Sequence, residues 1–242
     1  MLDKLLELTR QRKSCRCAAV IVSAGQSSRM NGQDKILAQI MRKSVIERSV
    51  EAFQNSSCVS EIIVVTRKDL VGFVRSLCGA KGYDKVTAVV EGGDTRVDSV
   101  MRGLDHVAKN TGMVAIHDGA RPLITGDVIE TAIQKARIYH AAAPAVPVKD
   151  TIKTVSQHFV VNTPDRSSLF AVQTPQVFDY DLLRGALQNA LDKELPITDD
   201  CSAVETLGMR VYLTQGSEEN IKITTPMDLI LAEAVLKRRE QA

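Results

Sequence analysis

The segment from Cys17 to Lys35 limits most tightly what this chain can become. Residues 18–22 form an apolar, β-branched run bounded by small side chains, which reads as a buried strand. The chain then turns through Ser23, Ala24 and Gly25. Gly25 can take a positive φ, and small side chains let a ligand approach the backbone closely. Two cations follow, Arg29 and Lys35. A loop after a strand, with bare N–H groups and cations, suits a polyphosphate. The Gly-Lys-Ser/Thr ending of a P-loop is missing. Only Gly25 precedes Gly32, so there is no Gly-x-Gly-x-x-Gly dinucleotide fingerprint. On the residues alone, a plain strand–loop connection with solvated cations explains the same pattern.

The rest of the chain narrows the classes. With 242 residues, 44% of them hydrophobic, one domain or one domain with an insertion is expected. No window approaches 18 consecutive apolar residues, so no transmembrane helix is expected. The net charge of +2 is spread along the chain, which gives no case for nucleic-acid binding. Five cysteines, at 15, 17, 58, 78 and 201, form no Cys-x-x-Cys pair. That favours reduced thiols in a cytoplasm over a zinc site or a disulfide framework. Residues 1–16 read as a short amphipathic extension that packs on the body. Leu2, Leu5 and Leu6 are spaced as on a helix, and Asp3, Lys4 and Glu7 break up any signal-peptide core. Residues 17–242 are expected to form a single domain.

Apolar spacing predicts helices over 45–53 and 70–77, the second ended by Cys78 and Gly79, and strands over 61–66, 86–90, 113–117 and 141–148. The alternation predicts an α/β fold of three layers, a mainly parallel twisted sheet between helices. A helix is expected to start near Asp94, after Gly92 and Gly93. Asp94 is then either an N-cap or a base-recognition group, and the residues alone favour the cap. Asp118 ends a strand, where ligands lie in such sheets, and is placed to hold a ribose or a metal. His117 reads as a core or hinge histidine. Residues 148–166 break the alternation: an extended segment, a turn at Gln157 and His158, and a return strand over 159–161. They read as a protruding β-arm. A lone two-stranded ribbon is marginal, so the arm points to an oligomer. Further on, a helix over 180–191 and a strand over 211–213 are expected. The final helix is expected to start at Pro226, capped by Thr225, with Asp228 reaching back as in a capping box.

The segment Ser23-Ala24-Gly25-x-x-x-Arg29-Met30, followed by Lys35, resembles the signature loop of sugar-nucleotide-type nucleotidyltransferases. That loop usually reads Ala-Ala-Gly-x-Gly-x-Arg-Met and continues to a Pro-Lys pair. Here Ser23, Ser27 and Asp34 stand for the first alanine, the second glycine and the proline. Four more segments follow in order: Gly92-Gly93-Asp94-x-Arg96-x-x-Ser99, His117-Asp118-Gly119-Ala120-Arg121-Pro122, Ile197-Thr198-Asp199-Asp200-x-Ser202-Ala203 and Asn220-Ile221-Lys222-Ile223-Thr224-x-Pro226-x-Asp228. Together they resemble the 2-C-methyl-D-erythritol 4-phosphate cytidylyltransferase family of non-mevalonate isoprenoid synthesis. Gly119 departs from a more usual alanine and Asp200 from a common glutamate.

The resemblance implies a Rossmann-like nucleotidyltransferase that joins CTP to a sugar-alcohol phosphate and releases pyrophosphate. It implies that Arg29, Lys35 and Lys222 contact the triphosphate and the transition state. Ser23, Ala24, Gly25, Gly93, Asp94, Ser99, Asp118 and Gly119 would bind the nucleotide, with Asp94 and Ser99 on the base. Arg121, Thr151, Arg166, Thr174 and Thr198 would surround the alcohol phosphate. It also implies Mg2+ held mainly by the CTP phosphates, and a homodimer whose β-arm lends Thr151 and Arg166 to the neighbouring site. Two alternatives stay open on side chains alone: a ribitol-5-phosphate cytidylyltransferase, and a non-catalytic nucleotide-binding Rossmann-like protein.

Overall fold

The structure is a computed structural model, and it describes residues 16–25, 30 and 34–241. Arg29 and residues 1–15 of the expected extension lie outside the described residues.

Strand β1 (Cys17–Ser23) runs through the middle of the sheet, and residues 17 to 21 are fully buried. Its side chains alternate between two cores. Cys17, Ala19 and Ile21 face one and Ala18 and Val20 the other, as a strand covered on both faces requires. A small hairpin, β2 (Gln39–Ile40) and β3 (Lys43–Ser44), leads into helix α1 (Val45–Asn55). Ser44 caps α1 by accepting a bond from the Glu47 N–H. The helix buries Val45, Ile46, Val50 and Phe53, and full burial of one such side chain contributes about 1.5–3 kcal/mol.

Strand β4 (Val59–Thr66), helix α2 (Val71–Lys81), strand β5 (Val86–Glu91), helix α3 (Arg96–Leu104), strand β6 (Met113–Asp118), helix α4 (Gly126–Tyr139) and strand β7 (Ala141–Pro147) continue the alternation. Helix α2 runs past the expected stop at Cys78 and Gly79. It ends at Gly82, whose left-handed φ of 66° is the conformation that closes a helix without a Cβ clash. Helix α3 starts at Arg96, and Thr95, not Asp94, is its cap. The Thr95 hydroxyl accepts from the Asp98 N–H and the Asp98 carboxylate accepts from the Thr95 N–H, a reciprocal capping box.

The chain then leaves the body as a ribbon, β8 (Thr154–Ser156) and β9 (Phe159–Asn162), which pair only with each other. Gln157 and His158 form the tip with φ of 47° and 68°, the left-handed pair that a two-residue hairpin turn uses. Phe159 is 77% exposed and Val155, Val160 and Val161 are also exposed.

Strands β10 (Phe170–Val172) and β11 (Gln176–Asp179), which residue patterning did not flag, return the chain to the sheet. Strand β11 lies antiparallel between β6 and β7, and β10 lies antiparallel on β7. Helix α5 (Tyr180–Asp192), helix α6 (Asp200–Glu205) and strand β12 (Tyr212–Gln215) follow, β12 pairing parallel with β7. Helix α7 (Pro226–Gln241) ends the chain, and Asp228 accepts from the Thr225 N–H, the Thr224 N–H and the Thr224 hydroxyl. The sheet is thus mixed and mostly parallel. Helices α1, α2 and α4 cover one face, and α3, α5 and α6 the other.

Candidate functional site

The loops at the carboxyl ends of β1, β5 and β6 enclose a cleft, the usual place for a ligand in such a sheet. The β1 loop contributes Ser23, Ala24 and Gly25, and the next turn contributes Lys35. The β5 loop contributes Gly93 and Asp94, with Thr95, Arg96 and Ser99 behind them. Asp118 comes from β6 and Lys222 from the segment before α7.

The turn over residues 92–94 is fixed from three sides. The Gly92 N–H donates to the Thr66 carbonyl at 2.8 Å, Arg102 Nη1 donates to the Gly92 carbonyl at 2.7 Å, and the Gly93 N–H donates to Ser99 Oγ at 3.1 Å. A Cβ on Gly92 would stand 2.4 Å from Ala24 Cβ, and one on Gly93 2.3 Å from Asp98 Cβ. Gly92 is therefore what lets the β1 and β5 loops touch, and Gly93 what lets the turn close on Asp98 of α3. Because Thr95 takes the cap, Asp94 remains exposed on the cleft wall.

Asp118 is the electrostatic centre. Lys222 Nζ lies 2.7 Å from its Oδ2, Arg121 Nε 3.8 Å from the same oxygen, and Arg96 Nη2 3.8 Å from its Oδ1. Burial pushes this carboxyl up, but Lys222 and then Arg96 and Arg121 outweigh it and hold its pKa at about 2. Arg96 also binds Asp200 Oδ2 at 2.7 Å. Asp200 is fully buried, and loss of water raises its pKa against the pull of Arg96. Arg96 had no role in the sequence reading. Its partner lies 104 residues away, so local spacing carries no trace of the pair. The arginine inside Gly-Gly-Asp-x-Arg-x-x-Ser was the available signal.

Behind the cleft wall, Thr174 and His117 set the angle of Asp118. The Asp118 N–H donates to Thr174 Oγ1 at 3.1 Å, which leaves the hydroxyl proton for His117 Nδ1 at 3.0 Å. His117 Nε2 then donates to the Arg121 carbonyl at 3.2 Å. A neutral ring with its proton on Nε2 satisfies both bonds. Burial, opposed chiefly by Asp118, lowers the His117 pKa to about 4, so the ring is neutral near pH 7. His117 is fully buried and tied to Thr174 and the Arg121 carbonyl, as a positioned core or hinge histidine would be.

The structure brings together Ser23, Ala24, Gly25, Lys35, Gly93, Asp94, Ser99, Asp118 and Lys222. It sets the other expected site residues apart. Gly119 lies behind the wall, donating to the Val22 carbonyl and accepting from Ser49 Oγ. Arg121 is turned away toward the Asn220 carbonyl at 2.6 Å. Thr174 is buried in the hinge. Thr198 is exposed near the start of α6 and bonds Ser202. Thr151 and Arg166 are exposed at the base of the ribbon, Arg166 donating to the Lys149 carbonyl at 2.7 Å. Among the described residues no group of three or more His, Cys, Asp or Glu could hold a metal by itself. No helix among them is long and apolar enough to cross a membrane.

Comparison with known proteins gives the family. The family model for 2-C-methyl-D-erythritol 4-phosphate cytidylyltransferase (IspD) matches residues 17–238. A protein of that name from Alkaliphilus oremlandii is 44% identical over 228 residues, covering 93% of this chain and 96% of its own. One from Caldanaerobacter subterraneus is 45% identical over 224 residues, covering 91% and 99%. The crystal structure of 4-diphosphocytidyl-2C-methyl-D-erythritol synthase from Anaerococcus prevotii superposes with a TM-score of 0.83 at 30% identity, over 93% of this chain and 100% of that one. The Thermus thermophilus cytidylyltransferase superposes at 0.73 and 31% identity, over 90% and 98%. The chain belongs to the 2-C-methyl-D-erythritol 4-phosphate cytidylyltransferase family.

Proposed function

We infer that the chain transfers CMP from CTP to 2-C-methyl-D-erythritol 4-phosphate and releases pyrophosphate, its family's reaction in isoprenoid biosynthesis. One observation carries the reading: a single cleft joins Asp94, released from capping, to Lys35 and Lys222. Asp94 is positioned to accept from the exocyclic amine of cytosine. The two ammonium groups lie where a triphosphate would extend.

The chemistry asks little more of the protein. A phosphate monoester has its second pKa near 6, so it is already mostly dianionic at neutral pH and attacks the α-phosphorus without a general base. Catalysis reduces to alignment and to neutralising charge on the five-coordinate transition state. Lys222 suits this because Asp118 orients its ammonium while 42% of the side chain stays exposed. Arg29, by resemblance, joins Lys35 and Lys222 on the triphosphate. Magnesium usually takes one or two carboxylates plus substrate phosphates, and Asp118 offers one carboxylate in the cleft. Asp118 and the CTP phosphates would hold Mg2+, which offsets phosphate charge.

Thr151, Arg166 and Thr198 do not line this cleft, and the ribbon exposes Val155, Phe159, Val160 and Val161. A homodimer formed through the ribbon accounts for both. It buries the apolar faces and lends Thr151 and Arg166 to the partner's acceptor site. The described cysteines are free thiols, which supports a cytoplasmic setting. Incubation with CTP, Mg2+ and either methylerythritol phosphate or ribitol 5-phosphate tests the reading. Pyrophosphate release with the first alone is the expected result, and release with ribitol 5-phosphate alone refutes it.

A further inference from the structure

The turn that carries Lys35 is held by groups that no part of the reaction uses. Asp34 Oδ1 accepts from the Ile36 N–H at 3.0 Å, and the Asp34 carbonyl accepts from the Ala38 N–H at 2.9 Å. The other carboxylate oxygen, Oδ2, lies 2.5 Å from Arg67 Nη2. Arg67 follows β4 directly, at the point where Thr66 is paired with Ser23 on one side and Glu91 on the other. Its guanidinium also reaches Asp69, with Nε at 3.2 Å and Nη2 at 3.1 Å from the two carboxylate oxygens. The Arg67 and Asp34 side chains are only 24% and 21% exposed. A planar fork shared between two carboxylates fixes direction as well as distance.

We propose that Arg67 is a positioning residue: through Asp34 it holds the Lys35 turn against the end of β4. Asp34 stands where related loops have a proline, which fixes the backbone covalently. Here an ion pair to the rigid sheet gives the equivalent constraint. Without Arg67 the turn loses its anchor to the end of β4.

The proposal rests on the reading of Lys35 as a triphosphate contact, and a double-mutant cycle separates the two. Arg67→Ala is expected to lower kcat/KM for CTP about tenfold, and in a Lys35→Ala background by under about twofold, because a group acting only through Lys35 has nothing left to position. Arg67→Lys keeps the charge without the fork and should fall between. Melting temperatures of all variants check folding, and the Arg67→Lys comparison stands if the alanine variant is unstable. Equal losses from Arg67→Ala in both backgrounds would overturn the proposal, as would no loss in either. In both cases a slow Lys35→Ala protein leaves the reading of Lys35 standing. A Lys35→Ala enzyme with normal turnover would instead remove that reading and the proposal with it.

Discussion

The proposed nucleotide half of the site and the proposed acceptor half are built by opposite means. The described residues of the nucleotide half come together within one chain. Gly92 and Gly93 are held by Thr66 and Ser99, Asp118 by Thr174, and Lys222 by its ion pair with Asp118. The acceptor half is scattered. Thr151 and Arg166 sit on an exposed ribbon and Thr198 precedes a six-residue helix. A preorganised region pays its ordering cost during folding, and an exposed ribbon defers that cost to association. Under the proposed dimer, the contrast separates what one chain does from what two do together.

The largest expected effect breaks the nucleotide half. Lys222→Ala removes an oriented cation and leaves Asp118 with only the more distant Arg96 and Arg121. Loss of one preorganised group of this kind lowers kcat by about 10²–10³. Pyrophosphate-release kinetics measure it, and a fall of less than about tenfold would mean that Lys222 is merely a salt-bridge partner of Asp118.

A second experiment tests the deferral. Arg166→Ala and Lys35→Ala proteins are each expected to be nearly inactive, and mixing them should restore activity to roughly a quarter of wild type, since half the dimers are mixed and each has one intact site. If labelled subunits demonstrably exchange and no activity returns, Arg166 serves its own chain or none.

The third prediction concerns pH and the hinge behind Asp118. The folded His117 pKa is about 4 against an unfolded value of 6.5. Between these values the unfolded chain holds a proton that the folded chain lacks, so stability rises with pH across the window. The contribution is complete above about pH 6.5 and is lost as pH falls toward 4. It is on the order of 3 kcal/mol. Urea melts of wild type and His117→Gln between pH 7.5 and 4.5 isolate this contribution from the buried carboxylates. The gap between the two proteins should close as pH falls, and a constant gap would contradict a neutral hinge.

The smallest effect is on base choice. Asp94→Ala is expected to reduce the preference for CTP over UTP by about tenfold to a hundredfold, the value of one hydrogen bond to a charged group. An unchanged ratio of kcat/KM values would leave recognition of the amine to backbone groups.

The sequence made the nucleotide half legible because its residues cluster by motif next to strands that announce themselves. The continuous apolar run of β1 and the glycines before α3 are local signals. Capping was misread locally too: Asp94 and Thr95 are both good cap residues, and the tie is broken by Asp98, which sits three residues after Thr95. Pairings across distance were out of reach. Arg96 with Asp200 depends on the packing of α3 beside α6, and Arg67 with Asp34 joins loops 33 residues apart. Strands β10 and β11 escaped notice because Gln173, Thr174 and Pro175 interrupt them, and their burial comes from β6 and β7.

The placement of β11 also governs how the molecule is made. Strands β6 and β7 come early in the chain, yet they never touch along their length, because residues 176–179 fill the space between them. A ribosome that has released residue 150 has already produced both strands and helix α4 between them. Their facing edges then carry unpaired N–H and C=O groups, a template for adhesion to other chains. Closure waits about 30 residues more, a few seconds of synthesis at roughly 5–20 residues per second. The exposed ribbon is itself completed in that interval. Nascent chains on one message would thus present an open sheet edge and an apolar hairpin together, and chaperone demand should peak there, before the last third of the protein has emerged.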